Sequence, residues 1–358
     1  MSMHLCLLGD ATSPHVQRWA LEMRQRGLRV SLVTARPANV EGITLRTLSP
    51  VRRPVDWLMR VGEVRRHVAD LAPNILHAHY VTSYGYLAAR SGMHPLVMTA
   101  WGSDLLVTPR RNPWLRWLTG WTLRRADLIT GDSHSLVQAA AEYRPACRIE
   151  DIHWGVDLQR FHPVPWDQKP ALGLVSLRAW EPNYNIDTVI DAFAILRARL
   201  PAAPLRLHLL GGGSLADSLQ NQVRRSGLQD SVRFHGRLDD AGMARVLADS
   251  RISISVPSSD ATSVALLESM ACGLAVVASR VQANEHWIGP QWLVEPRNAP
   301  ELATKLEMLL TDIGCAAAAG RQNATRIARD GDRAVQMDRM HTLYQQLLSS
   351  AGGTHARI

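Results

Sequence analysis

The chain has 358 residues, 46% of them hydrophobic and 20% charged, the balance of a soluble globular protein long enough for two domains. Its formal net charge of +8 lies almost wholly in residues 1–170, where 21 Lys and Arg face 14 Asp and Glu; a half this basic suits an anionic membrane surface or another polyanion, and no zinc-finger or RNP module points to nucleic acid. No apolar run reaches the ~20 residues needed to span a bilayer, and the four cysteines, Cys6, Cys147, Cys272 and Cys315, form no CxxC pair, which argues for buried reduced thiols over a zinc site or a disulfide framework.

In chain order, MSMHLCLLGD lacks a basic leader and reads as a first strand rather than a signal peptide. A loop follows, then a helix with Val16, Trp19, Ala20 and Met23 at helical spacing, stopped by Gly27. RVSLVTA, ITLRTLS, ILHAHY, PLVMTAW and DLITGDS are further strands, several separated by helical patterns, and such alternation predicts a parallel sheet covered on both faces. RIEDIHWGVDLQRFHPVPWDQKP, with Pro163, Pro165 and Pro170, breaks the rhythm and reads as a linker. Strands ALGLVSL, LRLHLLG, SVRFHG, ISISVP and AVVAS then alternate with helices, and DRAVQMDRMHTLYQQLLSS is an amphipathic terminal helix. The expected fold is α/β, two Rossmann-like doubly wound domains facing each other across a cleft. Their boundaries fall at 1–162, completed by a helix at about 336–350, and at 163–335. Ligands of such sheets sit beyond the carboxyl ends of the strands.

The most informative segment is VPSSDATSVALLESMACGLAVVAS. A strand ends at Pro257, a polar loop follows, and a helix begins near Ser263. Helix N-terminal amides at Thr262, Ser263 and Val264 make an anion site suited to a diphosphate. Glu268, on the helix, can accept hydrogen bonds from a ribose diol, and Asp260 can reach sugar hydroxyls; on spacing alone, Ser263 reads equally well as an ordinary N-cap and Glu268 as a surface residue.

This segment resembles the signature of the retaining glycosyltransferases of family 4, which have the GT-B fold and include the glycogen synthase and phosphatidylinositol mannosyltransferase types. Glu268-Ser-Met-Ala-Cys-Gly273-Leu-Ala-Val-Val-Ala follows the family run, Gly211-Gly212-Gly213 its Gly-rich loop, and Val232–Gly236 the strand beyond. Asp10–Trp19 and Gly102-Ser-Asp104 are similar to its acceptor-side loops. The resemblance implies that Glu268 binds the ribose, that Asp260 touches the donor sugar, that Arg178 grips the leaving diphosphate, and that Glu285 stands near the donor sugar. It implies a front-face retaining reaction, in which the leaving phosphate oxygen takes the acceptor's proton. The sequence departs from the pattern in four places: Asp260 replaces Glu, Ala261-Thr262-Ser263 replaces glycines, Tyr184 and Asn185 stand near the expected diphosphate lysine, and Trp101 replaces the cleft histidine. Asn185 is assigned to the donor side with its neighbours.

His15 follows the first strand, where it can meet a phosphate or an acceptor; with Asp104, Asp260 and Arg178 it completes the expected catalytic set. His79 ends a strand on the ligand side. His77 and His79 are expected on opposite faces of that strand, which argues against a shared metal. No Asp-x-Asp motif stands at a strand end, so no metal or cofactor is expected beyond the nucleotide-sugar donor as substrate. In residues 109–125, Trp114, Trp117 and Trp121 fall on one helical face among arginines, which reads either as core packing or as peripheral membrane contact. The expected function is hexosyl transfer from a UDP- or GDP-sugar to a saccharide or lipid-linked saccharide acceptor, in surface polysaccharide or glycoconjugate synthesis. It would take place in the cytoplasm or on the inner face of the cytoplasmic membrane. Alternatives are a non-catalytic scaffold or partner subunit of the same fold and a nucleotide-sugar epimerase.

Overall fold

The computed structural model describes residues 2–53, 55–169 and 172–355. It divides into two compact units: the chain up to Trp154 together with Val335 onward, and Gly155–Ala334 between them. The division comes earlier than the boundary at 162/163 because the segment after Trp154 is anchored in the second core. Val156 and Phe161 are buried there, and Val156 exchanges backbone hydrogen bonds with Gly331 and Arg333 at 2.8 and 3.0 Å.

The first unit holds seven parallel strands: β1 His4–Leu8, β2 Arg29–Thr34, β3 Thr44–Thr47, β4 Ile75–His79, β5 Leu96–Ala100, β6 Leu128–Gly131 and β7 Arg148–Asp151, in the order β3-β2-β1-β4-β5-β6-β7. Every residue of β1, β4 and β5 is buried, as expected for strands covered by helices on both faces. Strand β7 lies in the segment read as linker. Its Arg-Ile-Glu-Asp sequence has no apolar pattern because it is a charged, partly exposed edge strand.

The second unit repeats the plan with β8 Gly173–Ser176, β9 Arg206–Leu210, β10 Val232–Gly236, β11 Ile252–Ser255, β12 Ala275–Ser279 and β13 Leu293–Val294, in the order β10-β9-β8-β11-β12-β13, again all parallel. In each unit the order reverses beside the first strand, so β1 pairs with β2 and β4, and β8 with β9 and β11. Loops leaving the carboxyl ends of β1 and β8 therefore diverge from their neighbours, which opens a crevice for a ligand.

The long helix Arg333–His355 returns the chain to the first unit, where Met337, Met340, Leu343 and Tyr344 are buried. The Trp19 indole N–H donates to Tyr344 Oη at 3.1 Å. The tyrosine hydroxyl is then free to donate to His77 Nδ1 at 2.6 Å, which leaves His77 Nε2 to donate to Thr99 Oγ1 at 2.6 Å. This buried polar chain pins the last helix to β4 and β5.

Candidate functional site

In the second unit, the loops after β8 and β9 lie backbone against backbone. Trp180 N–H donates to Gly212 O and Leu215 N–H to Trp180 O, each at 3.0 Å. A side chain on Gly211, whose φ is +144°, would come within 2.5 Å of Arg178 O, and one on Gly213 would strike Trp180 O. Two members of the Gly-rich loop are thus required by the approach of one loop to the other.

That stitching aims Arg178, 7% exposed, at the loop after β11. Its Nη2 donates to Asp260 Oδ2 at 2.7 Å, its Nη1 donates to Ser263 Oγ, and its guanidinium lies 4.4 Å from the Tyr184 ring centroid. Ser263 also caps the helix Val264–Ala271, accepting from Leu266 N–H at 3.3 Å. Burial pushes the Asp260 carboxyl above its ordinary range, against the opposing pull of Arg178 and of the Ala261 N–H. Burial wins even beside a guanidinium because both partners are taken from water. Thr262 and Glu268 are buried beside this cap, at 7% and 3% exposure, so Glu268 is not a surface helix residue. Arg178, Asp260, Thr262, Ser263, Val264 and Glu268 thus form one polar locus around a helix N-terminus.

Two assigned residues stand outside it. The Asn185 amide donates to Val256 O at 2.8 Å and to Ser258 Oγ at 2.9 Å, and its oxygen accepts from Arg297 Nε at 3.1 Å. Those bonds tie the loops after β8 and β11 together, so the side chain braces the donor-side loops. Glu285 ends the short helix Gln282–Glu285 after β12, exposed and outside the Arg178 network.

In the first unit, a cavity of about 840 Å³ opens at the carboxyl ends of β1, β4 and β5. His79 and Trp101 line it where those strands end. His79 is 2% exposed, and neither of its ring nitrogens has a hydrogen-bond partner in the protein; the same holds for the Trp101 indole nitrogen. Burial, with a smaller push from His15, takes the His79 pKa down to about 3, so its ring is neutral. The His77 and His79 rings stack at 4.4 Å, which corrects their expected placement on opposite faces: residues two apart in a strand share a face. His15, in the first turn of helix Pro14–Gln25, is half-buried against Trp154 and Trp101 at 4.9 and 5.4 Å between ring centroids.

Asp104, placed in the expected catalytic set, stands in the short helix Ser103–Leu106 after β5. It is fully buried, and its carboxylate accepts from Val81 N–H at 2.8 Å and Trp101 N–H at 3.0 Å. It therefore clamps the loop after β5 to the turn after β4. That turn begins at Tyr80, whose φ of 83° is rare outside glycine, and continues as a single π-turn over Val81–Gly85; both features are common where backbone is held for function. Further wall residues, Trp57, Tyr84 and Leu118 among them, escaped the sequence reading. The aromatic spacing of Tyr80, Tyr84 and Tyr86 was the available signal.

Two family models match the chain. That described as "Glycosyl transferase 4-like" covers residues 4–133, and that of "Glycosyl transferases group 1" covers 169–312. The chain belongs to the 4-like, group 1 glycosyltransferases. Among curated relatives, N-acetyl-alpha-D-glucosaminyl L-malate synthase of Bacillus anthracis is 26% identical over 222 residues, 58% of this chain and 57% of that protein. The GDP-mannose-dependent alpha-(1-6)-phosphatidylinositol monomannoside mannosyltransferase of Mycobacterium tuberculosis is 27% identical over 218 residues, 54% of this chain and 55% of its own. The chain spans little more than half the length of these relatives.

Sucrose-phosphate synthase from Thermosynechococcus elongatus superposes with a TM-score of 0.81 at 17% identity, covering 97% of this chain and all of that one. Anabaena HepE in complex with UDP gives 0.81 at 15% identity, with 97% and 100% covered. At such identities these likenesses establish the fold, GT-B, as the resemblance implied. Among the described residues, no helix of this family member is long and apolar enough to cross a membrane.

Proposed function

We propose that this chain transfers a hexosyl unit from a UDP- or GDP-sugar to a saccharide or lipid-linked saccharide acceptor, with retention at the anomeric carbon and without a metal ion. The observation that carries the reading is the convergence of Arg178, Asp260 and Ser263 on the N-terminus of helix Val264–Ala271, with Glu268 buried in its second turn. Donor binding is assigned to the second unit. There the helix N-terminal amides and the Arg178 fork suit a diphosphate, and the Glu268 carboxylate suits a ribose diol. In the proposed step the bond from anomeric carbon to diphosphate oxygen breaks as the acceptor oxygen bonds to that carbon on the same face. The departing oxygen takes the acceptor's proton, so no enzyme nucleophile is consumed. Arg178 stabilises the charge that develops on the diphosphate, and Asp260 holds Arg178 in line while meeting sugar hydroxyls.

The acceptor is assigned to the first unit, where His15, His79 and Trp101 gather at strand ends and Asp104 positions the Trp101 loop. The choice of bases is supported by the similar structures and relatives: HepE was crystallised with UDP-glucose, the pneumococcal O-GlcNAc transferase GtfA with UDP and GlcNAc, and the mycobacterial relative is GDP-mannose-dependent. The proposed setting is glycoconjugate or surface polysaccharide synthesis in the cytoplasm, with peripheral membrane contact through residues 109–125.

The test is a thermal-shift titration with UDP, GDP and ADP, since a ligand that binds only the native state raises its apparent stability. One nucleotide is expected to raise the melting temperature, and Glu268→Ala to weaken it tenfold or more, about 1.4 kcal/mol, while the variant stays folded. No response to any of the three at millimolar concentration by folded protein would favour the non-catalytic scaffold.

A further inference from the structure

The cavity of the first unit changes character from floor to mouth. At its floor stand His79, 2% exposed with both ring nitrogens unbonded, and the unbonded indole N–H of Trp101. Leaving a buried polar group without a partner costs roughly 1–3 kcal/mol, so such groups persist where a ligand completes them. A neutral imidazole can both accept and donate, and the indole can donate, which suits a hydroxyl and not an anion. The walls are a different surface, built from Trp57, Tyr84, Leu115 and Leu118.

At the mouth the apolar surface continues into solvent. Val55, Leu58 and Trp114 line the cavity while 55%, 43% and 56% exposed; Met59 and Trp117, on the same two helices as Leu58 and Trp114, are also exposed, at 70% and 58%. Three large apolar side chains exposed on the wall of one cavity are more than scattered surface hydrophobicity. Trp114 and Trp117 thus lie outside the core, whereas Trp121 turns inward, half-buried against Tyr86 and under Arg125, whose guanidinium is 3.5 Å from its centroid. The segments 52–66 and 107–125, which supply several wall residues, carry ten arginines in sequence against only Asp56 and Glu63. Arg36 and Arg111 line the cavity itself, Arg36 pairing with Asp10 at 3.2 Å.

We propose that this cavity receives an anionic amphiphile: a sugar hydroxyl at His79 and Trp101, a prenyl or acyl chain along the apolar walls and out through the mouth, and a phosphate held by the lining arginines Arg36 and Arg111. A volume of about 840 Å³ is within the range that buries most of a ligand of this size. This rests on the assignment of the acceptor to the first unit, and it narrows the acceptor to a phosphate-linked lipid.

The experiment titrates the full chain with farnesyl diphosphate, with inorganic diphosphate and with farnesol, following tryptophan fluorescence; Trp57, Trp101 and Trp114 line the cavity. Farnesyl diphosphate is expected to saturate, and each half-ligand to bind at least tenfold more weakly. Leu118→Glu, which sets a charge on the wall, and Trp114→Ala, at the exposed mouth, are each expected to weaken farnesyl diphosphate at least fivefold. The nucleotide-induced thermal shift reports the second unit and is expected to stay unchanged in both. Equal binding of inorganic and farnesyl diphosphate overturns the proposal, as does wild-type affinity in both variants or the absence of saturable binding. Saturable lipid binding without any nucleotide response would leave the cavity assignment standing and sink the donor-site reading alone.

Discussion

His79 shows how a single side chain ties cavity, charge and stability together. The folded protein holds its ring neutral down to about pH 3, whereas an unfolded chain protonates it near the ordinary 6.5. Unfolding therefore takes up a proton between those values. The associated stability is complete above pH 6.5 and declines as the pH falls toward 3, at about 1.4 kcal/mol per unit for each such ring. His77, also held neutral by burial, adds to the same slope. Urea unfolding at pH 7 and pH 5 is expected to show this decline, and His79→Gln to flatten it by about one proton. Equal slopes in the two proteins would mean that the histidine is not neutral in the fold. Arg178 belongs to the same scale: the resemblance singled it out just after β8, but its partners came from a loop more than eighty residues away. Asp104 marks the converse: the resemblance placed it in an acceptor-side loop, and the structure adds that its carboxylate clamps the backbone of two turns.

At the scale of the element, the helix Val264–Ala271 carries most of the donor-site argument, and its first turn depends on Ser263. That hydroxyl accepts from Leu266 N–H and from Arg178 together. Ser263→Ala removes the cap and leaves Arg178 with one partner fewer. The expected cost is about 1–2 kcal/mol in the unfolding of the second unit, with Ser263→Thr retaining most of the stability. A denaturant midpoint for Ser263→Ala equal to wild type would show that neither bond contributes. Elements with strong apolar runs were legible in advance; those without were not. The charged β7 was read as linker, the two-residue β13 is shorter than any pattern, and the helices Ala299–Thr311 and Ile313–Asp330 had not been singled out.

For the whole molecule, the feature with the longest reach in sequence is the return of the last helix to the first unit. Tyr344 joins it to Trp19 and His77 through one buried hydroxyl. Tyr344→Phe keeps the ring but strands two polar groups, and is expected to destabilise the first unit by about 1–3 kcal/mol. The measurement is the melting transition of the first unit; since nucleotide binding is assigned to the second unit, the nucleotide-induced shift should persist. A transition unchanged by the substitution would mean that the hydroxyl bonds are replaced without loss.

The sequence by itself determined the two doubly wound units, the parallel sheets and the position of the helix that follows Ser263. Those depend on local apolar periodicity and on glycines and caps set by neighbours in the chain, which pattern reading resolves. It also placed Glu268, Asp260 and Arg178 near strand ends and a helix start, because strand ends follow from strand limits. Only the tertiary structure decided that Asn185 and Asp104 brace the protein's own backbone and loops, that Gly211 and Gly213 serve loop contact, and that Trp114 and Trp117 face outward while Trp121 does not. Each of these turns on which distant segment comes to lie against a side chain. Hydrogen bonds and burial are satisfied across the fold by residues whose separation in the chain carries no periodic signal.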